Sequence, residues 1–434
     1  MHKRVLSLTW PVIIANLSLP LAGAVDTAVV GHLPDPVYIG AVALGALVFS
    51  SLFWLVGFLR MGTTGFVAQS VGAGDLAQVT ATFLRGLAIA SVLGGVMIVF
   101  QVPIGSVVFW FFDASPEVEM FALDYYGVRI WSVIFMMFNL VVLGVLFGLQ
   151  RMRTALLLQL LLNGMNIVLD LIFVLGFGWA VLGVAAATMI SEIVTAVVGL
   201  AVCANILGVN LPIPRELHIF DRQKLIELTK VNVNIMIRTL CLEVVLIYFM
   251  WKSSSSGDVI LAANAILLHL LHFLAFGLDG FAHAAEALAG AAYGAKDRVR
   301  LRNTVSVALI WSVVVAVFFC VVYWIGGNFI IALLTGIEEV RQGADKYLFW
   351  LVIAPIFCVW PFLYDGVYIG MTRTVEMRNF MIISMLVFFL VAYFTTRAFD
   401  NHGLWLALMV FMVVRGLTLG LWFRRIEVSV GQVK

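Results

Sequence analysis

The sequence predicts an all-α polytopic membrane protein: twelve transmembrane helices in two parallel six-helix repeats. The first ground is composition. Of 434 residues, 63% are hydrophobic and 12% charged, with a mean hydropathy of +1.08; a soluble protein carries about twice that share of charge. The second is a series of apolar runs, each long enough to cross a bilayer, recurring along the whole chain. The third is internal repetition. Gly144-Val-Leu-Phe-Gly148-Leu-Gln-Arg151 and Gly366-Val-Tyr-Ile-Gly370-Met-Thr-Arg373 match at an offset of 222 residues, and Gly72-Ala-Gly-Asp75 matches Gly294-Ala-Lys-Asp297 at the same offset. Two independent matches at one spacing mark a duplicated unit half the chain long.

Apolar segments between loop signals place spans 1 to 6 at residues 5–30, 37–70, 77–102, 118–150, 154–177 and 180–206. Spans 7 to 12 follow at 223–251, 259–293, 299–326, 342–371, 376–398 and 402–423. Span 1 follows a basic Met-His-Lys-Arg start and carries Pro11 and Pro20. It superficially resembles a secretory signal, but it is too long and has Asp26 just beyond its small residues, so cleavage is not expected. The Gly-Ala-Gly-Asp loop falls between spans 2 and 3, and its copy between spans 8 and 9. Residues 208–222 form the linker between an amino-terminal bundle, 1–207, and a carboxy-terminal bundle, 223–434. Six spans per half is an even number, so both halves enter the membrane the same way and are related by an axis along its normal.

Charge sets orientation and excludes functions. Eighteen Lys and Arg residues fall on the side of the amino terminus and four on the other, with Arg60, Arg129, Arg238 and Arg415 inside spans. Both termini are therefore expected in the cytoplasm, and the expected location is the bacterial inner (cytoplasmic) membrane, with lipid as surroundings. The net charge of +2 gives no ground for nucleic-acid binding. No phosphate-binding G-x-x-x-x-G-K-[ST] loop and no soluble region of domain size occurs. Uphill movement of a solute would have to draw on an ion gradient. Cys203, Cys241, Cys320 and Cys358 lack C-x-x-C spacing and read as inert buried thiols. His269, His272 and His283 on span 8 lack H-E-x-x-H spacing, so no metal site and no cofactor is expected.

Ionisable groups inside a membrane are costly and mark cavities or partners. At about 1.5 Å per residue, Asp26 on span 1, Tyr125 on span 4, Asp170 on span 5 and Thr188 on span 6 reach similar depths in the outer half of the first bundle. Asn163, Asn166 and Asp170 are spaced i, i+3, i+7 and share one stripe of span 5. Two carboxyl groups in a low-dielectric pocket do not both ionise readily, so the cluster suits a shared proton or a bound cation. Pro20, six residues before Asp26, removes a helix hydrogen bond and marks a possible bend. At the 222-residue offset Asp26 faces Tyr248 and Asp170 faces Ala392, so the acidic pair belongs to one half alone. The second half has its own acids. Glu243 is a candidate second ion or cationic-substrate site. Asp279, Glu286 and Asp365 are expected to pair with inner-half cations such as Arg60 or to stabilise loop ends. Arg129 and Glu192, at similar depth, are expected to form a buried ion pair.

Taken together, several of these motifs resemble the multidrug and toxic compound extrusion (MATE) transporters, specifically their DNA-damage-inducible F-like branch. The resemblance covers essentially the whole chain. It rests on Pro11, Asp26-Thr-Ala-Val-Val-Gly-His32, Gly62-Thr-Thr-Gly-Phe-Val-Ala-Gln69, the Gly-Ala-Gly-Asp loop and Asn163-x-x-Asn-x-x-x-Asp170. It rests also on Leu261-Ala-Ala-Asn264, Asp279-Gly-Phe-Ala-x-Ala-Ala-Glu286 and Asp365-Gly-x-x-Ile-Gly-x-Thr-Arg373. The resemblance implies two six-helix lobes around a central cavity that opens alternately to each side. It further implies export of amphipathic, often cationic, compounds in exchange for H⁺ or Na⁺. In that branch the matching positions Asp26, Asn166 and Asp170, with Tyr125 and Thr188 beside them, hold the coupling ion. In other branches acids on spans 7 and 10 carry Na⁺, which here directs attention to Glu243 and Asp365.

The leading expectation is therefore a proton-coupled, monomeric exporter of small amphipathic or cationic molecules. A Na⁺-coupled antiporter using Glu243 and Asp365 is an alternative. Another is a lipid-linked substrate flippase, which would need basic residues lining its cavity to meet a pyrophosphate. An intramembrane enzyme would need a catalytic constellation, and none is found in the sequence.

Overall fold

The computed structural model describes residues 1–33, 35–110, 114–209 and 219–430. Among them there is helix and no strand. The helices are α1 (His2–Gly31), α2 (Val37–Val56), α3 (Phe58–Ala73), α4 (Leu76–Val99), α5 (Gln101–Trp110), α6 (Pro116–Arg129), α7 (Val133–Gly148), α8 (Met152–Asp170) and α9 (Ala180–Leu207). They continue with α10 (Arg222–Ser254), α11 (Asp258–Gly294), α12 (Arg298–Leu334), α13 (Glu338–Gly370) and α14 (Thr374–Ser429). Eleven helical stretches among the described residues are long and apolar enough to cross a membrane. The last, α14, is two helices merged across non-helical backbone at Asp400, where φ is 48° and ψ is −127°. Twelve spans result.

Most spans lie where the apolar runs put them. Span 2 is α2 plus α3, jointed at Gly57. Span 4 is α6 plus α7, joined by a 3₁₀ turn at Ile130–Ser132. Span 3 ends at Val99, short of the expected limit of 102. It is followed by α5, which its length of ten residues keeps from crossing.

The repeat has a backbone cause. The glycines of the first repeated motif are places where helices touch. A Cβ on Gly144 would stand 2.7 Å from the Arg60 carbonyl, and one on Gly148 would stand 2.6 Å from Val67, so α7 lies against α3. The copies do the same on α13, where a Cβ on Gly366 or Gly370 would overlap the Ala282 or Glu286 carbonyl of α11. Small residues are what let two membrane helices approach this closely. The second motif caps helices. Asp75 accepts from Gln78 N and Asp297 from Arg300 N, both at 2.9 Å. Even the turn conformations repeat: Gly74 and Lys296 are left-handed at φ 77° and 54°, Gln150 and Thr372 at 60° and 52°.

The helices form two compact units, Ile14–Thr229 and Lys230–Lys434, with Met1–Ile13 belonging to the second. This division differs at the amino terminus from the sequence boundaries 1–207 and 223–434. The physical reason lies in α1, a helix running unbroken through Pro11 and Pro20. Its first turns pack on the second unit, with Gly280 leaving room for Ile13 and Thr9, and Trp311 donating to His2 Nδ1 at 3.1 Å. The second unit's core gathers Phe249, Leu267, Leu351, Phe388, Trp405 and Phe411. The first unit's gathers Phe49, Tyr125, Tyr126, Ile130 and Val184.

Candidate functional site

Within the first unit, α1, α6, α8 and α9 deliver the polar residues singled out in the sequence to one place. Asp26 sits on α1 and Asp170 closes the regular part of α8. Their side chains lie within hydrogen-bonding reach of each other. Asp170 is fully buried. Neither of its carboxyl oxygens, nor Asp26 Oδ1, has a hydrogen-bond partner among the described residues. Directly after Asp170 the helix widens to a π-helix over Leu171–Gly176. Such widened turns gather at functional positions, and sequence periodicity gave no signal for this one.

One turn below, Asn166 Nδ2 donates to Thr188 Oγ1 at 3.1 Å, and the threonine hydroxyl donates to the Val184 carbonyl at 3.0 Å. This ties α8 to α9. Asn163 Nδ2 donates to Ser18 Oγ at 2.6 Å, tying α8 to α1. Tyr125, 1% exposed, accepts from Arg129 Nη1 at 3.2 Å. Arg129 in turn pairs with Glu192 at 2.6 Å, and Ser132 donates to the other oxygen of Glu192. The buried ion pair expected from depth is thus present, on α6 and α9. The guanidinium also lies 4.5 Å from the centre of the Phe49 ring.

Three participants carried no recognisable sequence signal. Ser132 lies in the 3₁₀ turn. Phe49 stacks on Arg129. Gly45 gives Tyr125 its place, since a Cβ there would overlap the ring. The contact from Arg129 to Tyr125 had a signal in their i, i+4 spacing on α6.

Of the four oxygens of the close Asp26 and Asp170 carboxyl groups, Asp26 Oδ1 and both Asp170 oxygens have no donor among the described residues. Both ionised, the two groups repel at short range in a medium that screens poorly. One proton shared between them, or one cation on both, removes the conflict.

The second unit is arranged differently. Asp365 pairs with cations, as expected. Its Oδ2 accepts from both Arg238 and Arg415, because α10 and α14 bring two guanidinium groups to α13. Arg60 lies over the Phe147 ring at 5.4 Å. Glu286 lies 3.1 Å from His283 Nδ1. Glu243 is half-buried, with His272 and Arg238 as its electrostatic neighbours, and makes no direct bond to Asp365. No group of three potential metal ligands occurs among the described residues. Cys203, Cys241 and Cys358 are buried and free, and Cys320 is partly exposed.

Comparison with known proteins agrees with this architecture. The MatE family model matches the chain twice, over residues 11–172 and 235–394. DNA damage-inducible protein F of Escherichia coli K12 is 40% identical over 423 residues, covering 98% of this chain and 92% of that protein. A probable multidrug resistance protein NorM of Thermotoga maritima is 28% identical over 204 residues, 45% of this chain and 43% of its own. Among solved structures, a MOP superfamily transporter from Pyrococcus furiosus Vc1 superposes with a TM-score of 0.88 at 21% identity, covering 99% of this chain and 96% of the other. A MATE protein in its straight conformation also gives 0.88 at 21% identity, covering 100% and 97%.

A duplicated bundle of twelve spans with these relatives defines a multi-pass membrane transporter, not an enzyme. Since the family model covers most of the chain and a near-full-length relative is 40% identical, the chain belongs to the MatE family.

Proposed function

We propose that this transporter exports small amphipathic, often cationic, compounds in exchange for protons. Asp26 and Asp170 bind the proton, and Asn166, Asn163, Tyr125 and Thr188 frame them. The observation that carries the reading is the Asp26–Asp170 contact, in which the buried Asp170 oxygens have no donor among the described residues. A proton satisfies that contact with no further ligand. In the outer half of the membrane, the pair would load its proton from outside. Loading changes the acceptors offered to neighbouring groups, and span 1 bends at Pro20 to release substrate; the reverse step delivers the proton to the cytoplasm. Both termini lie in the cytoplasm of a bacterium, the chain works in the inner membrane as a monomer, and no cofactor is needed. Export of drugs is supported by the multidrug resistance name of the Thermotoga maritima relative.

Two alternatives lose support from the buried ion pairs. Na⁺ coupling through Glu243 and Asp365 asks Asp365 for a negative charge that two guanidinium groups already occupy. A pyrophosphate-handling flippase asks for available intramembrane cations, whereas Arg129, Arg238 and Arg415 are each engaged by a carboxylate.

The deciding experiment is efflux from proteoliposomes with ΔpH and Na⁺ gradients imposed separately. ΔpH alone is expected to drive export, and Asp26→Asn and Asp170→Asn are each expected to abolish it in folded protein. Undiminished ΔpH-driven efflux in both variants refutes the reading.

A further inference from the structure

The starts of spans 7 and 11, both in the second unit, hold a guanidinium group that transport leaves unused. Arg378 Nε and Nη2 donate to Asn379 Oδ1 at 3.1 and 2.8 Å, and Nη1 donates to Asn234 Oδ1 at 2.7 Å. Both acceptor oxygens belong to neutral amides. Asn234, buried on α10, donates in turn to Thr374 Oγ1 on α14 at 3.3 Å. The charge is therefore held still without being neutralised. Among the described residues three of the five N–H bonds of the guanidinium are used, which leaves one on each terminal nitrogen. Lys230 stands one turn before Asn234 on the same face of α10 and is exposed. Neither cation has a carboxylate partner among the described residues, and the acids nearest in sequence are engaged: Glu227 by Lys224 at 3.6 Å and Glu376 by Arg373 at 3.2 Å.

The two spans run the same way. Asn234 meets Thr374 and Arg378 near their starts, and further along Tyr248 packs on Phe388 and Phe389 at 5.8 and 5.0 Å. Val233, Leu240 and Ile247, spaced i, i+7, i+14, form one exposed stripe of α10. Ile383, Leu386 and Leu390, spaced i, i+3, i+7, form another on α14. Counted at about 100° per residue from the contact, both stripes fall on one side of the seam, together with Asn379. A fixed positive charge thus sits at the foot of an uncovered apolar face.

We propose that Arg378, Asn379 and Lys230 bind the phosphate of an anionic phospholipid in the cytoplasmic leaflet, with its acyl chains along the two stripes. The phosphate oxygens accept from the two remaining Arg378 N–H bonds and from Lys230. Guanidinium–phosphate bonds of this kind are short and strong, and basic pockets between spans on the cytoplasmic side suit such headgroups. A zwitterionic lipid brings its own ammonium, which the two cations repel. Free phosphate has no chains for the stripes. The choice of leaflet rests on the orientation proposed above, whereas the binding does not.

Native mass spectrometry and thermal melting of the full chain in detergent test this. The probes are phosphatidylglycerol and phosphatidylcholine with identical acyl chains, and inorganic phosphate. The wild type should retain phosphatidylglycerol severalfold more tightly than phosphatidylcholine and melt higher in its presence; inorganic phosphate at the same concentration should not raise the melting temperature. Arg378→Gln and Lys230→Gln should each weaken phosphatidylglycerol binding about fivefold and leave phosphatidylcholine unaffected. Arg397→Gln removes a guanidinium that lies over Tyr393 at 3.9 Å toward the other end of span 11, and should change neither. Equal retention of the two lipids by the wild type overturns the proposal, as does equal stabilisation by inorganic phosphate. An undiminished preference in both Arg378→Gln and Lys230→Gln overturns it too. Should Arg378→Gln fail to fold, the exposed Lys230 decides by itself, and an unchanged affinity in Lys230→Gln is then the refuting result. Failure of the orientation looks different: the headgroup preference persists, an amine-reactive label reaches Lys230 from outside intact cells, and the leaflet alone is overturned.

Discussion

Replacing Asp365 by Asn keeps the side chain's shape and deletes its charge, so the change reads out the electrostatics of the second unit. Asp365 is 7% exposed as a side chain, Arg238 11% and Arg415 2%, and both guanidinium groups converge on one carboxylate oxygen. Removing one partner of a buried ion pair costs about 3–5 kcal/mol, because the other charge stays buried without compensation. Here two cations lose their shared partner and are left facing each other. For a unit of this size each kcal/mol shifts the melting temperature by about 2–4 °C, so Asp365→Asn should melt about 10 °C below the wild type. A thiol-reactive fluorophore in detergent solution suits the measurement, since Cys241 and Cys358 of the same unit are buried until it opens. Glu338→Gln is the control. Its pair with Arg341 spans 3.9 Å between exposed side chains and should cost less than about 0.5 kcal/mol. A second substitution, Arg415→Met, should return part of the loss in the Asp365→Asn background. If Asp365→Asn melts within about 2 °C of the wild type, the carboxylate is not what holds the two arginines, and the case against its binding Na⁺ falls with it.

Two further outcomes test the repeat. Gly370→Ala forces α13 off the Glu286 carbonyl of α11 and should cost about 1–3 kcal/mol by overpacking, seen as a lower melting temperature; Gly23→Ala, with open space at its Cβ position, should not. Asp75→Ala and Asp297→Ala each remove an N-cap and should each cost about 1 kcal/mol, checked by faster amide exchange in the first turns of α4 and α12. Equal exchange in variant and wild type would show that these carboxylates do not hold the caps.

Hydropathy and the 222-residue offset made the span count and the duplication legible, because bilayer thickness and helix contact each constrain sequence strongly. The Asn163, Asn166, Asp170 stripe was legible because three residues on one helix declare their shared face. Arg238, Asp365 and Arg415 were not. They come from three helices far apart in the chain, and several other cations offered the same charge at comparable depth. The π-helix after Asp170 was hidden because Leu171–Gly176 is apolar whichever way it winds. Helix α5 was missed because the expected end of span 3, residue 102, falls inside it and leaves residues 103–110 in the connection to span 4.

The divided allegiance of α1 bears on how the protein is made. Thr9 and Ile13 leave the ribosome early relative to Gly280, which shapes their seat and follows about 270 residues later. At about 5–20 residues per second, that is a delay of tens of seconds. During this interval the first helix is already in the bilayer, with its inner turns meeting lipid or insertion machinery in place of α11. Assembly of the second unit therefore ends by recruiting a segment made long before the rest of it. A ribosome stalled before Gly280 should leave those turns open to crosslinking, and one stalled after α12 should not.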